Sequence, residues 1–456
     1  MNITERIFKM ENEMNLFECQ ICDVYFWKLI RLEIYENIMR VKESYGIAQN
    51  NTSFKVFEFM KNLPSLVLNI SLRSWQLNFN RRDILVFRHG RKVFHKREYI
   101  DIYTKYIENE LSEKNINFES IDFPANLTHK TNYNKQTSNV ESPGLLMAFL
   151  HGLILKKIVI KKTLSVEEKN IIYQLDKRIY EEFGLKINLT NIIINAISKF
   201  KYRKKYFCKI LKRKKPKIIY ITPHYNRHEL ISAANDLNIK TVEVQHGIIT
   251  PYHLGYSFRG GQQIPYFPDR LILYGSLWSK ITNIPIGLNE IELRKFDYLY
   301  EKKTSSMVDK ANVITIVSQG TISKELFEFA IALAKRMGNF IINYKLHPGE
   351  FLTWKEKKSV RDSPSNLKVV FDEVSIHDLF AESTHVIGVY STAVFEALYF
   401  ECEIGILKIP GYEYMDYLYS NGYARLIANI EEAKDFLDNK NLSYESVDHN
   451  IIFGGK

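Results

Sequence analysis

Three short segments set imidazole, hydroxyl and glycine together where an apolar run ends. Thr241 to Val244 has strand composition and leads into Gln245-His246-Gly247, after which the chain turns through Pro251 to His253. An imidazole with the ordinary pKa of about 6.5 can take a proton from a hydroxyl that does not ionise by itself at neutral pH. Gly247 leaves space beside it for the group that gives up the proton. His246 is therefore a candidate general base. The alternative is a turn histidine bonded to a backbone carbonyl.

The run ending in Tyr344-Lys345-Leu346 delivers His347-Pro348-Gly349-Glu350. Pro348 fixes its own φ and biases His347 toward extended backbone, which limits where the ring points. That imidazole can hold a phosphate or simply close a surface turn; Lys345 reads as flanking. Gly388 to Leu398 passes from a strand through Ser391-Thr392 into a helix. Either hydroxyl can cap that helix, and the N–H groups and positive dipole end then suit an anion such as a nucleotide phosphate. Capping without a ligand is the alternative. Glu396, one turn further, either reaches a ribose hydroxyl or lies on the helix surface. In Ser318-Gln319-Gly320-Thr321, Gly320 permits close backbone approach and Thr321 is placed to cap the next helix.

No Asp-x-Asp, P-loop or G-x-G-x-x-G occurs. This disfavours a metal–diphosphate clamp and dinucleotide binding. The charge of a departing nucleotide would fall to His347, the Ser391–Thr392 helix end and backbone donors, with no metal required.

The elements that must carry these residues are short apolar strands alternating with helices, the pattern of parallel sheets covered on both faces. One series starts near Asp83 and a second near Asn312. The fold class expected is α/β, two Rossmann-like domains facing a cleft, with a helical extension over residues 1–78. Residues 79–265 form the first domain with a helical insertion, 266–311 an irregular linker, 312–430 the second domain, and 431–456 a helix and tail. Within the extension, Phe17, Ile21, Val24, Trp27 and Leu29 recur at helical spacing. Ligands in such sheets lie beyond the carboxyl ends of the strands, where the three segments above fall.

The 456 residues, with 45% hydrophobic and 13% aromatic content, are ample for two packed domains. Four cysteines argue against a disulfide framework and fit a reducing, cytoplasmic setting. Cys19-x-x-Cys22 lacks the second pair a zinc site needs, so it reads as a helix face. Glu5, Arg6 and Lys9 interrupt any signal-peptide core. The longest uncharged stretch, Ser142 to Leu155, falls short of the roughly 20 residues that span a bilayer.

The net charge of +11 equals the eleven Lys and Arg of the acid-free tract Lys199 to Lys217. That tract reads as a solvated helix face, or as a basic amphipathic helix on an anionic membrane through Tyr202, Tyr206, Phe207, Ile210 and Leu211. Nucleic acid is disfavoured because no binding module accompanies it.

The order Q-H-G, K-L-H-P and Y-S-T-x-x-x-E, over roughly residues 215–430, resembles bacterial capsule and lipopolysaccharide glycosyltransferases of the B-type, two-Rossmann architecture. It is similar in particular to those using CMP-activated sugars: polysialyltransferase-like, Kdo-transferase-like and other nonulosonic acid transferases. The resemblance implies that His347, Ser391 and Thr392 bind the CMP phosphate; Gln319, Gly320, Thr321 and Glu396, from their own placement after strands, are expected around the nucleotide. The acceptor would pass Arg88, His89, Gln245, Gly247 and His253. This sequence departs from the sialyltransferase pattern, because Gln245-His246-Gly247 stands where an acidic pair supplies the base. The base is then His246, or the role has moved to Glu243 or another residue. CDP-polyol phosphotransferases also carry a histidine-glycine and a His-Pro in the corresponding halves.

The activity implied is inverting, metal-independent transfer from a CMP-sugar to a hydroxyl of a lipid-linked or oligosaccharide acceptor, with the 199–217 tract on the inner-membrane surface. Rival expectations are CDP-polyol phosphotransfer, UDP-sugar chemistry on the same fold, and a non-catalytic sugar-nucleotide-binding subunit.

Overall fold

The computed structural model describes residues 2–41, 80–90, 92–122, 137–139, 164–259, 261, 263–305, 310–354, 363–438 and 448–455. Fifteen described strands are β1 Ile84–Phe87, β2 Val93–His95, β3 Glu98–Ile100, β4 Phe118–Asp122, β5 Thr137–Asn139, β6 Ile218–Ile221, β7 Lys240–Val244, β8 Arg270–Leu273, β9 Ile291–Leu293, β10 Ala311–Val317, β11 Ile341–Lys345, β12 Leu367–Val370, β13 Ser383–Gly388, β14 Glu403–Leu407 and β15 Arg425–Ile427. Seven form one sheet in the order β5-β4-β1-β6-β7-β8-β9, and six form a second in the order β12-β11-β10-β13-β14-β15. Every pairing in both is parallel. The α/β, two-domain fold class is thus the one observed.

The runs that read as strands are buried at nearly every position, as sheets covered on both faces require. Several expectations are corrected. The first sheet runs on through β8 and β9, so residues 266–293 belong to it rather than to a linker. Residues 93–100 form the β2–β3 hairpin. Its turn, Lys96-Arg97, has φ of +47° and +68°, the hairpin geometry usually signalled by Asn-Gly. The tail crosses back: Asn450–Phe453 is a helix whose Phe453 carbonyl accepts from Phe296 N–H at 2.9 Å, and Ile452 O accepts from Trp278 Nε1 at 2.9 Å. The apolar stretch 142–155 and residues 42–78 lie outside the described residues. No described helix is long and apolar enough to cross a membrane.

The basic tract ends the helix Leu189–Lys214. Its apolar side faces inward: Ile193, Ile197, Phe200, Phe207, Ile210 and Leu211 are all buried. Arg203 pairs with Glu229 (2.6 Å), Lys204 with Asp236 (2.9 Å) and Lys214 with Glu119 (2.5 Å). The apolar face that membrane insertion needs is therefore already used by the core. Lys201, Lys205, Lys209 and Lys212 remain as an exposed row.

The N-terminal extension contains helices Ile3–Glu13 and Phe26–Val41. The helix expected across residues 17–24 is broken, because Cys22 and Asp23 take φ of +51° and +60° and Ile21 bridges Val24. Cys22 therefore lies in a turn, with Cys19 just before it, rather than on a helix face. Buried Glu11 accepts from Trp27 Nε1 (2.8 Å) and from Arg31 Nε (2.5 Å) and Nη2 (2.7 Å). Arg31 Nη1 donates to the carbonyls of Leu254 and of Ser257, the latter at 3.0 Å. One buried ion pair thus ties the extension to the loop after His253. Removing one partner of such a pair strands the other charge without water, at about 3–5 kcal/mol. Glu11→Ala is expected to lower unfolding free energy by that order in a urea titration, and Arg31→Met in the same background should recover part of the loss.

Candidate active site

In the first sheet the chain runs β1, β4, β5 to one side and returns to β6 on the other side of β1. The crevice therefore opens beyond β1 and β6, with β7 next in line. His89, His224 and His246 follow these three neighbouring strands. The second sheet reverses between β10 and β13, which brings the loops 318–321 and 390–392 side by side, with the His347 turn after β11 adjacent.

His246 sits among aromatic and imidazole rings. Its ring stacks on His89 at 5.6 Å between centroids and meets Tyr103 edge-on at 6.1 Å. Tyr225 Oη lies 2.9 Å from Nε2 and Tyr256 Oη 3.3 Å from Nδ1. Behind them Glu243 is fully buried. It accepts from the His224 backbone N–H (3.1 Å) and from Tyr256 Oη (2.6 Å), and contacts His224 Nδ1 at 2.5 Å. Desolvation pushes Glu243 up to about 7 and holds His246 down at about 3, so the ring is neutral across the physiological range. The ordinary value expected for His246 is thereby corrected. Glu243, enclosed by its partners, cannot meet a substrate and is corrected from alternative base to supporting group.

The other first-domain candidates separate. Arg88 is partly buried and grips Glu108 through two donors, one at 2.7 Å, which anchors its loop. Gln245 is also buried; its amide donates to Gly247 O (2.8 Å) and accepts from Tyr274 N–H (2.8 Å), fixing the turn that presents His246. His253 Nδ1 accepts from Gly255 N–H at 3.0 Å, and its ring packs 4.9 Å from Tyr256, so it shapes the wall behind His246. Burial holds it at about 4.

Gly247 lies where the two domains touch. A Cβ there would stand 3.3 Å from Thr392 Oγ1, which accepts from Ile248 N–H at 3.3 Å. The space its missing side chain leaves thus admits the other domain. Ser391, not Thr392, caps the helix Thr392–Tyr399, accepting from Ala393 N–H at 3.3 Å. Glu396 is held by His377 Nε2 at 2.8 Å through one carboxylate oxygen. Thr321 does not cap the next helix; its hydroxyl bonds Tyr390 Oη, while Gln319 Nε2 donates to Tyr390 O at 3.3 Å. His347 is exposed. Its Nδ1 accepts from Gly349 N–H at 3.1 Å, which puts the neutral ring's proton on Nε2 as a donor.

Sequence reasoning missed Tyr225, Tyr256, His224 and Glu350. Buried Glu350 accepts from His347 N–H (2.9 Å), Ser318 Oγ (3.0 Å) and Trp354 Nε1 (3.2 Å), locking the His-Pro turn onto the β10 loop. His224-Tyr225 directly follows a strand, the same signal that singled out His246. Tyr256 carried no local signal.

No protein-family model matches the chain, and no curated protein does. Among solved structures it is similar to the UDP-GlcNAc 2-epimerase from Methanocaldococcus jannaschii, at 11% identity and TM-score 0.46 over 80% of this chain and 94% of that one. It is similar also to the glycosyltransferase SnogD from Streptomyces nogalater, at 11% identity and TM-score 0.45 over 80% and 92%. A third is MurG of Acinetobacter baumannii, at 11% identity and TM-score 0.41 over 80% and 92%.

The desolvated histidines set an acid limit on stability. Below pH 6.5 an unfolded chain binds protons that folded His246 and His253 refuse, so stability falls as pH falls toward 4. Glu243 has the opposite sign, since its folded carboxyl binds a proton at higher pH than an unfolded one, and it offsets about one histidine. His224 and His228, also held low by burial, add to the acid loss. The urea midpoint is expected to be lower at pH 5 than at pH 7, and His253→Asn should reduce that slope by about 1 kcal/mol per pH unit.

Proposed function

We propose that this protein transfers a sugar from a nucleotide-activated donor to a hydroxyl, with inversion and without a metal, and that the donor is CMP-linked. The observation that carries the reading is the contact of Gly247 and Ile248 with Thr392: a neutral imidazole in one domain stands beside a helix N-terminus in the other. The acceptor oxygen attacks the anomeric carbon while the bond from that carbon to the phosphate oxygen breaks. Its proton passes to His246 Nε2, the nitrogen that lies 2.9 Å from Tyr225 Oη. The phosphate leaves with the bonding electrons, and His347 Nε2–H, the Ser391 helix end and the β10 loop stabilise its charge. A phosphate near the ring favours the imidazolium, so the donor raises the basicity that burial lowers. When ionised, Glu243, joined to the ring through Tyr256, favours the imidazolium as well.

A donor panel tests the reading. Transfer or hydrolysis is expected with CMP-Kdo or CMP-sialic acid, not with CDP-glycerol or UDP-sugars; the reverse pattern rejects the donor, and no turnover with any rejects the enzyme. His246→Ala should lower kcat on the order of 100-fold or more. The acid limb of kcat/KM is expected below pH 5 instead of near 6.5, following the low value of the free enzyme's His246.

The same reading extends to where the acceptor is met. Lys201, Lys205, Lys209 and Lys212 share an exposed helix face, with no ion-pair partner among the described residues. A row of this kind gains about 1 kcal/mol per lysine at an anionic bilayer, without insertion. Co-sedimentation with phosphatidylglycerol vesicles, weakened by salt and absent with phosphatidylcholine, is expected. Changing the four lysines to glutamate should abolish it, and a preference for RNA at physiological salt would overturn the docking.

A further inference from the structure

We propose that Tyr256 is a positioning residue that fixes which nitrogen of His246 carries the proton, keeping the Nε2 lone pair turned to the substrate. The proposal rests on His246 being the base and adds what makes it one. A neutral imidazole has one donor and one acceptor nitrogen, and only the acceptor can take a proton. The partner of the other nitrogen decides between them.

The hydrogen-bond directions follow from the buried end. Glu243 Oε1 already accepts the His224 backbone N–H, so it is the accepting oxygen toward Tyr256 at 2.6 Å. This holds in either protonation state, because a proton on this carboxyl belongs on Oε2, in the 2.5 Å contact with His224 Nδ1. Tyr256 has a single O–H, and Glu243 takes it. Toward His246 the phenol therefore offers only a lone pair, so Nδ1, at 3.3 Å, must be the N–H. Nε2 is left as the acceptor, and Tyr225 Oη at 2.9 Å donates to it. The chain Glu243, Tyr256, His246 acts in one direction only.

The extension supplies the rigidity this needs. Arg31 holds the carbonyls of Leu254 and Ser257, on either side of Tyr256, and is itself held by Glu11. Tyr256 is fully buried, with its ring 5.2 Å from His224 and 4.9 Å from His253. A ring so confined keeps the phenol oxygen between Glu243 and His246.

The test reads the tautomer directly, by 15N NMR of the resting full-length protein labelled at histidine, with His246→Gln to assign the signal. The wild type is expected to show His246 with its proton on Nδ1. Tyr256→Phe is expected to shift it toward the Nε2–H form that a solvated imidazole favours, while Tyr225→Phe leaves it on Nδ1. In a transfer assay Tyr256→Phe should lower kcat on the order of 100-fold with KM little changed. A wild-type proton on Nε2, or an unchanged tautomer in Tyr256→Phe, overturns the proposal. If Tyr256→Phe does not fold, the wild-type spectrum still decides. A wild type inactive on every donor rejects the base reading, yet the spectrum judges the positioning separately.

Discussion

A carboxyl group with no access to water must have its oxygens answered from within the protein, and Glu243 is such a group. Meeting that demand draws in His224 from the end of β6 and Tyr256 from the loop beyond β7. Once these are in place, His246 is surrounded. Its surroundings and the direction of its hydrogen bonds follow from a residue without access to water, while desolvation keeps the ring neutral.

The rest of the chain is arranged around keeping that network in register. The N-terminal helices do so through Arg31, whose guanidinium holds the backbone on both sides of Tyr256. Arg88 and Gln245, residues of types that often bind sugars, serve as anchors for the loops beside the site. The second domain has a corresponding buried acid in Glu350, which locks the His347 turn to the loop after β10. Each half thus uses an internal carboxylate to hold an imidazole in place. The halves meet at Gly247 and Thr392, where only a glycine admits the contact without displacement.

Much of the architecture was legible because it rests on a short-range rule. Strands buried on both faces are mostly apolar, and short runs of this kind stand at β1, β6, β7, β8, β10, β11, β12, β13 and β14, whereas β4 buries Glu119, Ser120 and Asp122 as well. The β2–β3 hairpin escaped because Lys96-Arg97 adopts a glycine-like turn without glycine. β9 and β15 escaped because three residues carry no period. The basic tract misled for a different reason: an apolar stripe on a helix has the same pattern whether a bilayer or a sheet covers it.

The sequence by itself determined two parallel sheets, the position of His246, His347 and Ser391 just past strand ends, and the surplus positive charge near residue 200. These follow from patterns a few residues long and from the rule that parallel strands expose their carboxyl ends to ligands. Only the tertiary structure decided which of those residues face the cleft and in what chemical state. Burial depth, the partner on each ring nitrogen and the contact between domains depend on residues far apart in the chain. Tyr256 lies ten residues beyond His246, and Arg31 more than two hundred before it, so no local pattern could disclose their connection.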